Sequence, residues 1–512
     1  MHLELNFHSD VPLYLQIKKG IQDRILSGAL RIGTRLPATR ELARQLGVNR
    51  STVTNAYEEL LADGLLSSHV GQGTFVAEQG GYKDLLENQA KADNVAWQKM
   101  VWEGLFAGEA EERTISALLD LYQVSTITDV ISFSGSYPDE GSFPIVDFKN
   151  SLNYALREFG KSVLKYEQAA GLQALREHLA VELRARSINA AVENILITNG
   201  SQQAIDLLAR IFIAPGDTVI LENPTYPGAS NAVSALGARL IGIPVDTAGM
   251  QIANLEQIII RQRPKLIYVV PTFHNPTGHT LSLERRHQLM ALARKYRIAV
   301  LEDAYGEDLR FEGEELPSLK ALDVTEQVIH FGTFSKNLLP GIRIGWCLAP
   351  QPVFTRLVAL KQISDITTSP LLQAALWDFC RRHRYQAHLG RVRTIYKSRR
   401  DFMISRLQAY FPAGTQWSEP QGGLFCWVKL PPQIDTTELL MEARQQGVVF
   451  ARGHLFHIDG AGRNTLRLSF GNLSELEMER GLKILGATVA GLLRRSESRT
   501  PDKFLKNTLP LV

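Results

Sequence analysis

From about residue 126 to residue 490, short apolar segments alternate with amphipathic ones, and this alternation constrains the fold more than any other feature. The apolar segments are typical of buried strands, and they lie at 194–198, 218–222, 240–243, 266–270, 299–302, 328–331 and 344–348. Helical stretches separate several of them. Strands that alternate with helices are the signature of an α/β fold with a mostly parallel sheet. We therefore expect residues 126–490 to form one long α/β domain.

Residues 1–77 show a different pattern, that of a small helical unit. Leu13, Ile17, Ile21 and Ile25 recur at a spacing of four and predict an amphipathic helix that starts near Pro12. The further predicted elements are two helices and two strands, at 39–46, 51–63, 65–68 and 74–76. Three helices followed by a hairpin are typical of an α+β winged helix-turn-helix fold.

The charge of this small unit differs from that of the whole chain. The 512 residues contain 56 Lys and Arg against 53 Asp and Glu, so the net charge of +3 alone gives no indication of nucleic-acid binding. Between residues 31 and 54, however, Glu41 is the only acidic residue, and the basic residues there are Arg31, Arg35, Arg40, Arg44 and Arg50. An isolated basic cluster is more often a solvated surface than a binding site. Here it precedes and begins the third helix, and a Gly-Gln-Gly turn follows, which favours contact with DNA phosphates and base edges.

Four sequence strings of this unit resemble the GntR-type winged-helix domain. They are LPATRELA at 36–43, GVNRSTV at 47–53, YEEL at 57–60 and GQGTFV at 71–76. The resemblance implies double-stranded DNA as a partner, contacted through the start of the third helix and the wing. The implied DNA-binding residues are Arg40, Asn49, Arg50, Ser51, Thr52 and Gly71.

The remaining segments suggest connections and a compartment. We interpret residues 78–125 as an interdomain linker and residues 491–512 as a tail. No run of about 18 apolar residues occurs, so no membrane span is expected. The first residues lack the basic and apolar regions of a secretory signal. The three cysteines are far apart and form no CxxC pair, which fits a cytoplasmic, reducing compartment.

No metal site is expected. His454 and His457 are three residues apart, but no carboxylate or cysteine completes a ligand set with them. The two histidines also lie between Gly453 and Gly460, which indicates a loop.

Four segments of the long domain carry chemistry: ITNGSQQA at 197–204, PTFHNPTG at 271–278, VLEDAY at 300–305 and GTFSKNLLPGIRIG at 332–345. Taken singly, the first could be a plain strand-to-helix turn, the second a plain loop, and Asp303 in the third a helix N-cap. The fourth is the most specific. An amine that forms a Schiff base must be unprotonated, so the pKa of Lys336 has to be lowered by its surroundings. A guanidinium seven residues further on, that of Arg343, can bind phosphate through two hydrogen bonds.

Together the four segments resemble a fold-type I aminotransferase that uses pyridoxal 5′-phosphate, with a large domain and a smaller α/β domain. The resemblance implies that Lys336 forms the internal aldimine and that Asp303 keeps the pyridine nitrogen protonated. It also implies that Asn275 and Tyr305 bind the 3-oxygen of the ring and that Tyr226 stacks on it. The implied phosphate-binding residues are Gly200, Ser201, Gln202, Thr333, Ser335 and Arg343, with Tyr166 reaching the phosphate of the other subunit. By the same resemblance, Arg467 binds a carboxylate of an amino compound and Gly135 lines the substrate side.

A GntR-type domain ahead of an aminotransferase-like domain resembles the MocR-type transcriptional regulators over nearly the whole chain. This resemblance implies a head-to-tail homodimer that senses an amino compound, or the cofactor itself, through aldimine chemistry at Lys336. The alternative is an active aminotransferase, acting on an amino acid and a 2-oxo acid, with an accessory DNA-binding domain. Every mapped catalytic position is present, so both functions stay open at this point.

Overall fold

A computed structural model describes residues 3, 5–6, 11–69, 73–77, 130–135 and 137–498. The linker predicted at 78–125 and the wing residue Gly71 lie outside the described residues. The chain divides into two compact units, Met1–Glu109 and Ala110–Val512.

The first unit contains three helices and an antiparallel hairpin, as the sequence predicts. The helices are α1 (Leu13–Leu26), α2 (Thr39–Leu46) and α3 (Arg50–Ala62), and the strands are β1 (Leu66–His69) and β2 (Gly73–Val76). α2 ends at Gly47, whose φ of 65° is the left-handed conformation that glycine adopts readily at a helix C-terminus. The core of the unit contains Ile17 and Ile21 of α1 with Val53 and Leu60 of α3, all fully buried.

The second unit is built around a mixed, mostly parallel eight-stranded sheet. Its strands are β4 (Ile195–Thr198), β5 (Thr218–Asn223), β6 (Arg239–Asp246), β7 (Gly249–Met250), β8 (Leu266–Val269), β9 (Ala299–Asp303), β10 (Val328–Thr333) and β11 (Gly345–Leu348). The order across the sheet is β4-β11-β10-β9-β8-β5-β6-β7. The pairs from β10 to β6 are parallel, whereas β11 is antiparallel to both of its neighbours. The expected α/β fold is therefore confirmed.

Both faces of this sheet are buried, which explains the continuous apolar runs in its strands. In β5, Val219 and Leu221 belong to one hydrophobic cluster and Ile220, between them, to another. The same alternation separates Tyr268 from Ile267 in β8. Helices cover the two faces, namely α4 (Ile145–Phe159), α5 (Gln173–Ala185), α6 (Ser201–Phe212), α7 (Pro227–Ser234), α8 (Leu255–Gln262), α9 (Leu283–Tyr296), α10 (Gln351–Ser364) and α11 (Pro370–Arg381).

The rest of the second unit forms a smaller part with its own sheets. β12 (Gln416–Trp417), β13 (Phe425–Lys429), β15 (Ala451–Arg452) and β16 (Thr465–Ser469) form an antiparallel sheet in the order β12-β13-β16-β15. β3 (Ile131–Ser132) pairs in parallel with β14 (Val448–Val449). The helices of this part are α12 (Arg384–Tyr410), α13 (Thr436–Gln445) and α14 (Glu475–Ser498). The segment predicted as a tail is thus helical up to residue 498, and residues 499–512 lie outside the described residues.

Three further properties concern the described residues as a whole. None of their helices is long and apolar enough to cross a membrane. No group of three or more His, Cys, Asp or Glu side chains among them could hold a metal ion. Cys347, Cys380 and Cys426 are all buried and free.

Candidate functional site

The four chemical segments of the sequence meet at one edge of the large sheet. Asp303 is the last residue of β9 and Thr333 is the last residue of β10. Asn275 follows β8, and Gly200 follows β4. The carboxyl ends of parallel strands are where open α/β sheets place ligand groups. This edge is therefore the candidate ligand-binding site of the second unit.

Lys336 lies three residues beyond β10 and is partly buried. Burial, with a further contribution from the positive charges of Arg467 and Arg343, lowers the pKa of the Lys336 amine to about 8, although Asp303 opposes the shift. An amine with this pKa is unprotonated in a substantial fraction of molecules near neutral pH. The surroundings of Lys336 thus supply the lowered pKa that a nucleophilic amine needs.

Asp303 is buried, and burial raises the pKa of its carboxyl to about 6. Two hydrogen bonds oppose that shift: the Tyr268 hydroxyl donates to Oδ2 at 2.8 Å, and the backbone N–H of Tyr305 donates to Oδ1 at 3.0 Å. Tyr268 lies on β8, beside Leu301 of β9. The sequence analysis missed Tyr268, because a tyrosine in an apolar strand gives no signal of a polar partner on the next strand.

Arg343 is held above the turn that precedes α6. Its Nη1 donates to Ser335 Oγ at 3.2 Å, and its Nη2 donates to the carbonyl of Asn199 at 3.1 Å. Thr333 Oγ1 lies 3.0 Å from Ser335 Oγ. Gly200 has a φ of 82°, and a Cβ at that position would come within 2.7 Å of Arg343 Nη2. A guanidinium, two hydroxyls and the N-terminus of a helix are thus gathered around a glycine, which is a composition suited to a phosphate.

Ser201 has the residue type of a helix N-cap, but the N-cap residue of α6 is Gly200 and no side chain caps the helix. Because Ser201 is the first helical residue, its backbone N–H is among those that have no partner within the helix. Beside it, the Tyr226 hydroxyl donates to Oε1 of Gln202 at 3.0 Å. Burial raises the pKa of Tyr226 to about 12, so the phenol stays protonated.

Arg467 lies on β16 of the smaller sheet and is only 5% exposed. Its Nη1 donates to Asn275 Oδ1 and its Nη2 to the carbonyl of Ser134, both at 2.9 Å. The guanidinium carbon is 4.1 Å from the centre of the Phe425 ring, and Nε is buried without a hydrogen-bond partner among the described residues. Burial lowers the pKa of Arg467 to about 10. A buried cation that has no carboxylate partner among the described residues is suited to an anionic ligand group. Gly135, next to Ser134, is also buried.

Two predicted site residues have surroundings that the sequence did not reveal. The Tyr305 hydroxyl donates to the carbonyl of Phe273 at 2.7 Å, so within the chain its proton is directed to the backbone. Tyr166 is 81% exposed. A tyrosine that reaches another subunit has to be exposed in a single chain, and the structure gives it no role within its own site.

Of the predicted DNA-binding residues, Asn49, Arg50, Ser51 and Thr52 lie at the start of α3 and Arg40 lies on α2, while Gly71 lies outside the described residues. The side chains of Arg31, Arg35, Arg40, Arg44 and Arg50 are all exposed. None of them forms an ion pair with another described residue. Ser51 is exposed and Thr52 is half-buried, while the Asn49 side chain accepts a hydrogen bond from the Ser51 N–H at 3.4 Å and so caps α3. The Tyr57 hydroxyl donates to the carbonyl of Pro37 at 2.9 Å and ties α3 to the segment before α2.

Comparisons with known proteins agree with this arrangement. Residues 13–76 match the bacterial regulatory proteins of the gntR family, and residues 129–485 match aminotransferase class I and II. The uncharacterized HTH-type transcriptional regulator YisV of Bacillus subtilis is 32% identical over 95% of this chain and 97% of its own. The probable rhizopine catabolism regulatory protein MocR of Rhizobium meliloti is 30% identical over 88% of each chain.

The chain belongs to the MocR-type regulators. In these proteins a GntR-type DNA-binding domain precedes a domain of the aminotransferase class I and II family, and both domains are matched here. The crystal structure of LysN, an α-aminoadipate aminotransferase from Thermus thermophilus complexed with N-(5′-phosphopyridoxyl)-L-leucine, is similar to 77% of this chain. That similarity covers 100% of the LysN chain, with a TM-score of 0.72 and 32% identity.

The residues of this MocR-type chain fit the cofactor of the family. Membership of the aminotransferase class I and II family confirms the prediction of pyridoxal 5′-phosphate. Arg343, Ser335 and the turn at Gly200 offer donors for a phosphate. Asp303 offers a buried carboxylate for a protonated ring nitrogen, and Lys336 offers an amine of lowered pKa.

Proposed function

We propose that this protein binds specific DNA through its first unit and senses an amino compound, or the cofactor itself, at Lys336 of its second unit. The observation that carries the proposal is that one chain combines two features. Its first unit has exposed arginines that form no ion pair with another described residue, and its second unit gathers Lys336, Asp303 and Arg343 at one edge of the large sheet. Cofactor binding does not explain the basic surface, and DNA binding does not explain the cofactor-binding groups.

On the DNA side, we assign the contacts to the start of α3 and the residues before it. Arg40, Arg50, Ser51 and Thr52 supply donors for phosphates and base edges. Asn49 combines a DNA contact with its capping of α3. Gly71 is assigned a DNA contact on the family resemblance alone.

On the cofactor side, we assign covalent attachment to Lys336 and the ring nitrogen to Asp303. When bound, the cofactor supplies an aldehyde that condenses with amines and a ring that accepts electrons from the adjoining carbon. Asn275, Tyr305 and Tyr226 orient the ring. Six groups hold the phosphate, namely Gly200, Ser201, Gln202, Thr333, Ser335 and Arg343.

The ligand is inferred from the buried cation. We assign Arg467 to a carboxylate of the amino compound, held beside Asn275, and Gly135 to the lining of the substrate side. An amine that displaces Lys336 acts as the signal if it binds one arrangement of the DNA-binding units better than another. We propose a head-to-tail homodimer as the form that couples the two sites, with Tyr166 reaching the phosphate of the other subunit.

The test combines an optical measurement with a DNA-binding measurement on the same protein. Amines and amino acids are screened for a shift of the visible absorption of the bound cofactor. Those that shift it are then added to a footprinting experiment on DNA upstream of the protein's own and neighbouring genes. We expect at least one such compound to change the affinity or the extent of a specific footprint. The absence of any specific footprint, with or without the cofactor, would refute the regulator function.

A second candidate function is transamination of an amino acid and a 2-oxo acid. The observation that favours it is the pKa of about 8 at Lys336, which allows this amine to accept and return a proton near neutral pH. Steady-state formation of a keto product, abolished in Lys336→Ala, would support it. Binding of an amino acid without keto product would leave sensing as the function.

A further inference from the structure

Lys361, near the end of α10, has no exposed side-chain surface, which is unusual for a lysine. Its Nζ donates to both carboxylate oxygens of Asp365 at 2.8 Å and to Oε1 of Gln203 at 3.2 Å. Asp365 is 20% exposed. Because a buried ion pair loses much of its hydration, it is weak evidence for a role in stability. The position of the Lys361–Asp365 ion pair suggests a role other than stability.

The ion pair is bonded to the turn that precedes α6. The Oδ2 atom of Asp365 accepts from Nε2 of Gln203 at 2.7 Å and also from the side-chain amide of Asn199. Oε1 of Gln203 in turn accepts from the backbone N–H of Asn199 at 2.8 Å. Asn199 is therefore fixed through both its backbone and its side chain.

The same turn is hydrogen-bonded to Arg343, whose guanidinium belongs to the proposed phosphate site. The carbonyl of Asn199 accepts from Arg343 Nη2 at 3.1 Å, and the next residue, Gly200, lies close enough that a Cβ would meet that nitrogen. A continuous path of hydrogen bonds thus leads from Lys361 through Asp365 and Asn199 to Arg343.

The backbone after Asp365 gives an independent indication that this residue is constrained. Ile366 has a φ of 67°, which is a genuine outlier for a β-branched residue. Its side chain is 48% exposed, so packing of that side chain does not impose the conformation. A strained conformation persists only where the surroundings over-determine it. The hydrogen bonds that hold the Asp365 side chain are such surroundings.

We infer that Lys361 and Asp365 are positioning residues for the phosphate of the cofactor. They hold the Asn199–Gly200 turn, and through it Arg343, in the geometry that accepts a phosphate. Neither is assigned any direct contact with the cofactor. The inference rests on the proposed function, because it takes the turn and Arg343 as the phosphate site.

The test compares two ligands that differ only in the phosphate. Affinities of the apo protein for pyridoxal 5′-phosphate and for pyridoxal are measured by titration of the visible absorption, in the wild type and in Asp365→Asn. We expect Asp365→Asn to weaken the binding of pyridoxal 5′-phosphate by about tenfold, equivalent to about 1.4 kcal/mol, and to leave pyridoxal within about twofold. A purely structural defect would weaken both ligands equally and would overturn the inference.

A matched control comes from another lysine–aspartate pair of the same unit. Lys320 is 9% exposed, Asp323 has no exposed side-chain surface, and their Nζ–Oδ2 distance is 3.0 Å. Asp323→Asn therefore removes a buried partner of a lysine without touching the phosphate-binding turn. We expect it to leave the affinity for both ligands unchanged, and an equal loss of phosphate preference in this control would overturn the inference.

A second variant covers the case in which Asp365→Asn fails to fold because Lys361 keeps a buried charge without a partner. The double variant Lys361→Gln, Asp365→Asn removes both charges and should retain the circular dichroism spectrum of the wild type. We expect it to lose the preference for the phosphorylated ligand by the same factor. If the double variant prefers pyridoxal 5′-phosphate over pyridoxal as strongly as the wild type does, the inference about Lys361 and Asp365 is overturned but the proposed phosphate site is not. If the wild type itself does not distinguish the two ligands, the proposed phosphate site is overturned.

Discussion

The DNA-binding surface and the cofactor site place their functional side chains in opposite environments. The five arginines of the first unit that are predicted to favour DNA are exposed and come from one stretch of 24 residues, 31–54. The groups around Lys336 are largely buried and come from segments as far apart as Ser134 and Arg467. Exposed charges act through a field that salt screens. Buried groups act through pKa values and hydrogen bonds that their neighbours set. The two sites should therefore respond to different substitutions and different conditions.

The largest effect is expected from Lys336→Ala. This variant should lose the visible absorption of the covalently held cofactor and the band that borohydride quenches, because no other amine is assigned to that position. Specific DNA binding in the absence of a ligand should remain. Lys295→Ala is a suitable control, since Lys295 is an exposed lysine paired with Glu256. Retention of the band in Lys336→Ala would contradict the assignment.

Arg40→Ala and Arg50→Ala are expected to have the opposite effect, in which DNA binding is weakened and the cofactor absorption is retained. Each should weaken specific DNA binding by roughly 10- to 100-fold, the range for loss of one good base contact, and leave the cofactor absorption unchanged. Electrophoretic mobility shifts at several salt concentrations measure the effect. Lys19→Ala removes an exposed positive charge from α1 and should have little effect. Loss of both DNA binding and absorption in one arginine variant would indicate misfolding instead.

The pH dependence of cofactor attachment should report the burial of Lys336. The amine must be unprotonated to react, and its pKa is lowered to about 8. The rate at which the apo protein attaches pyridoxal 5′-phosphate should therefore rise about fivefold between pH 7 and pH 8 and level off above about pH 9. Stopped-flow absorbance between pH 7 and pH 9.5 measures this rate. A rise that continues undiminished to pH 9.5 would mean that the amine keeps the pKa of an exposed lysine.

The smallest effect separates the two roles of Asn49. Asn49→Ala should destabilise the first unit by about 1 kcal/mol, because α3 loses its N-cap. Asn49→Asp keeps a good cap but replaces amide donors with a negative charge, so it should restore stability and still bind DNA less tightly. Thermal unfolding and mobility shifts of both variants test this. Equal DNA affinity of Asn49→Asp and the wild type would reduce Asn49 to a capping residue.

The comparison also shows where sequence reasoning succeeds. The apolar spacing of Ile17, Ile21 and Ile25 predicts α1, and all three are buried. The apolar run before Asp303 predicts a strand over 299–302, and β9 spans Ala299–Asp303, one residue longer. Such features depend on neighbours within a few residues along the chain, so their signal is present in the sequence itself.

Hydrogen bonds between segments that are far apart in the sequence could not be predicted from local patterns. Ser201 has the residue type of an N-cap, yet the chain enters α6 through Gly200 in a left-handed conformation and the cap is absent. Tyr268 lies 35 residues from Asp303, and its hydroxyl reaches the carboxylate only because β8 and β9 are neighbours in the sheet. Asp365 and Asn199 are 166 positions apart. No periodicity relates such pairs, since only packing brings them together.

By itself, the sequence determined the two-part organisation and the helices and strands that carry the motifs, and it singled out Lys336 as the candidate for the reactive amine. These depend on local periodicity and on rare combinations of residues. The tertiary structure decided that Asp303 is held by Tyr268, that Arg467 is buried against Asn275, and that Asp365, paired with Lys361, is hydrogen-bonded to Asn199. The physical reason is that burial and hydrogen-bond partners are set by which strands and helices pack together, and that packing determines the pKa values on which the chemistry of the site depends.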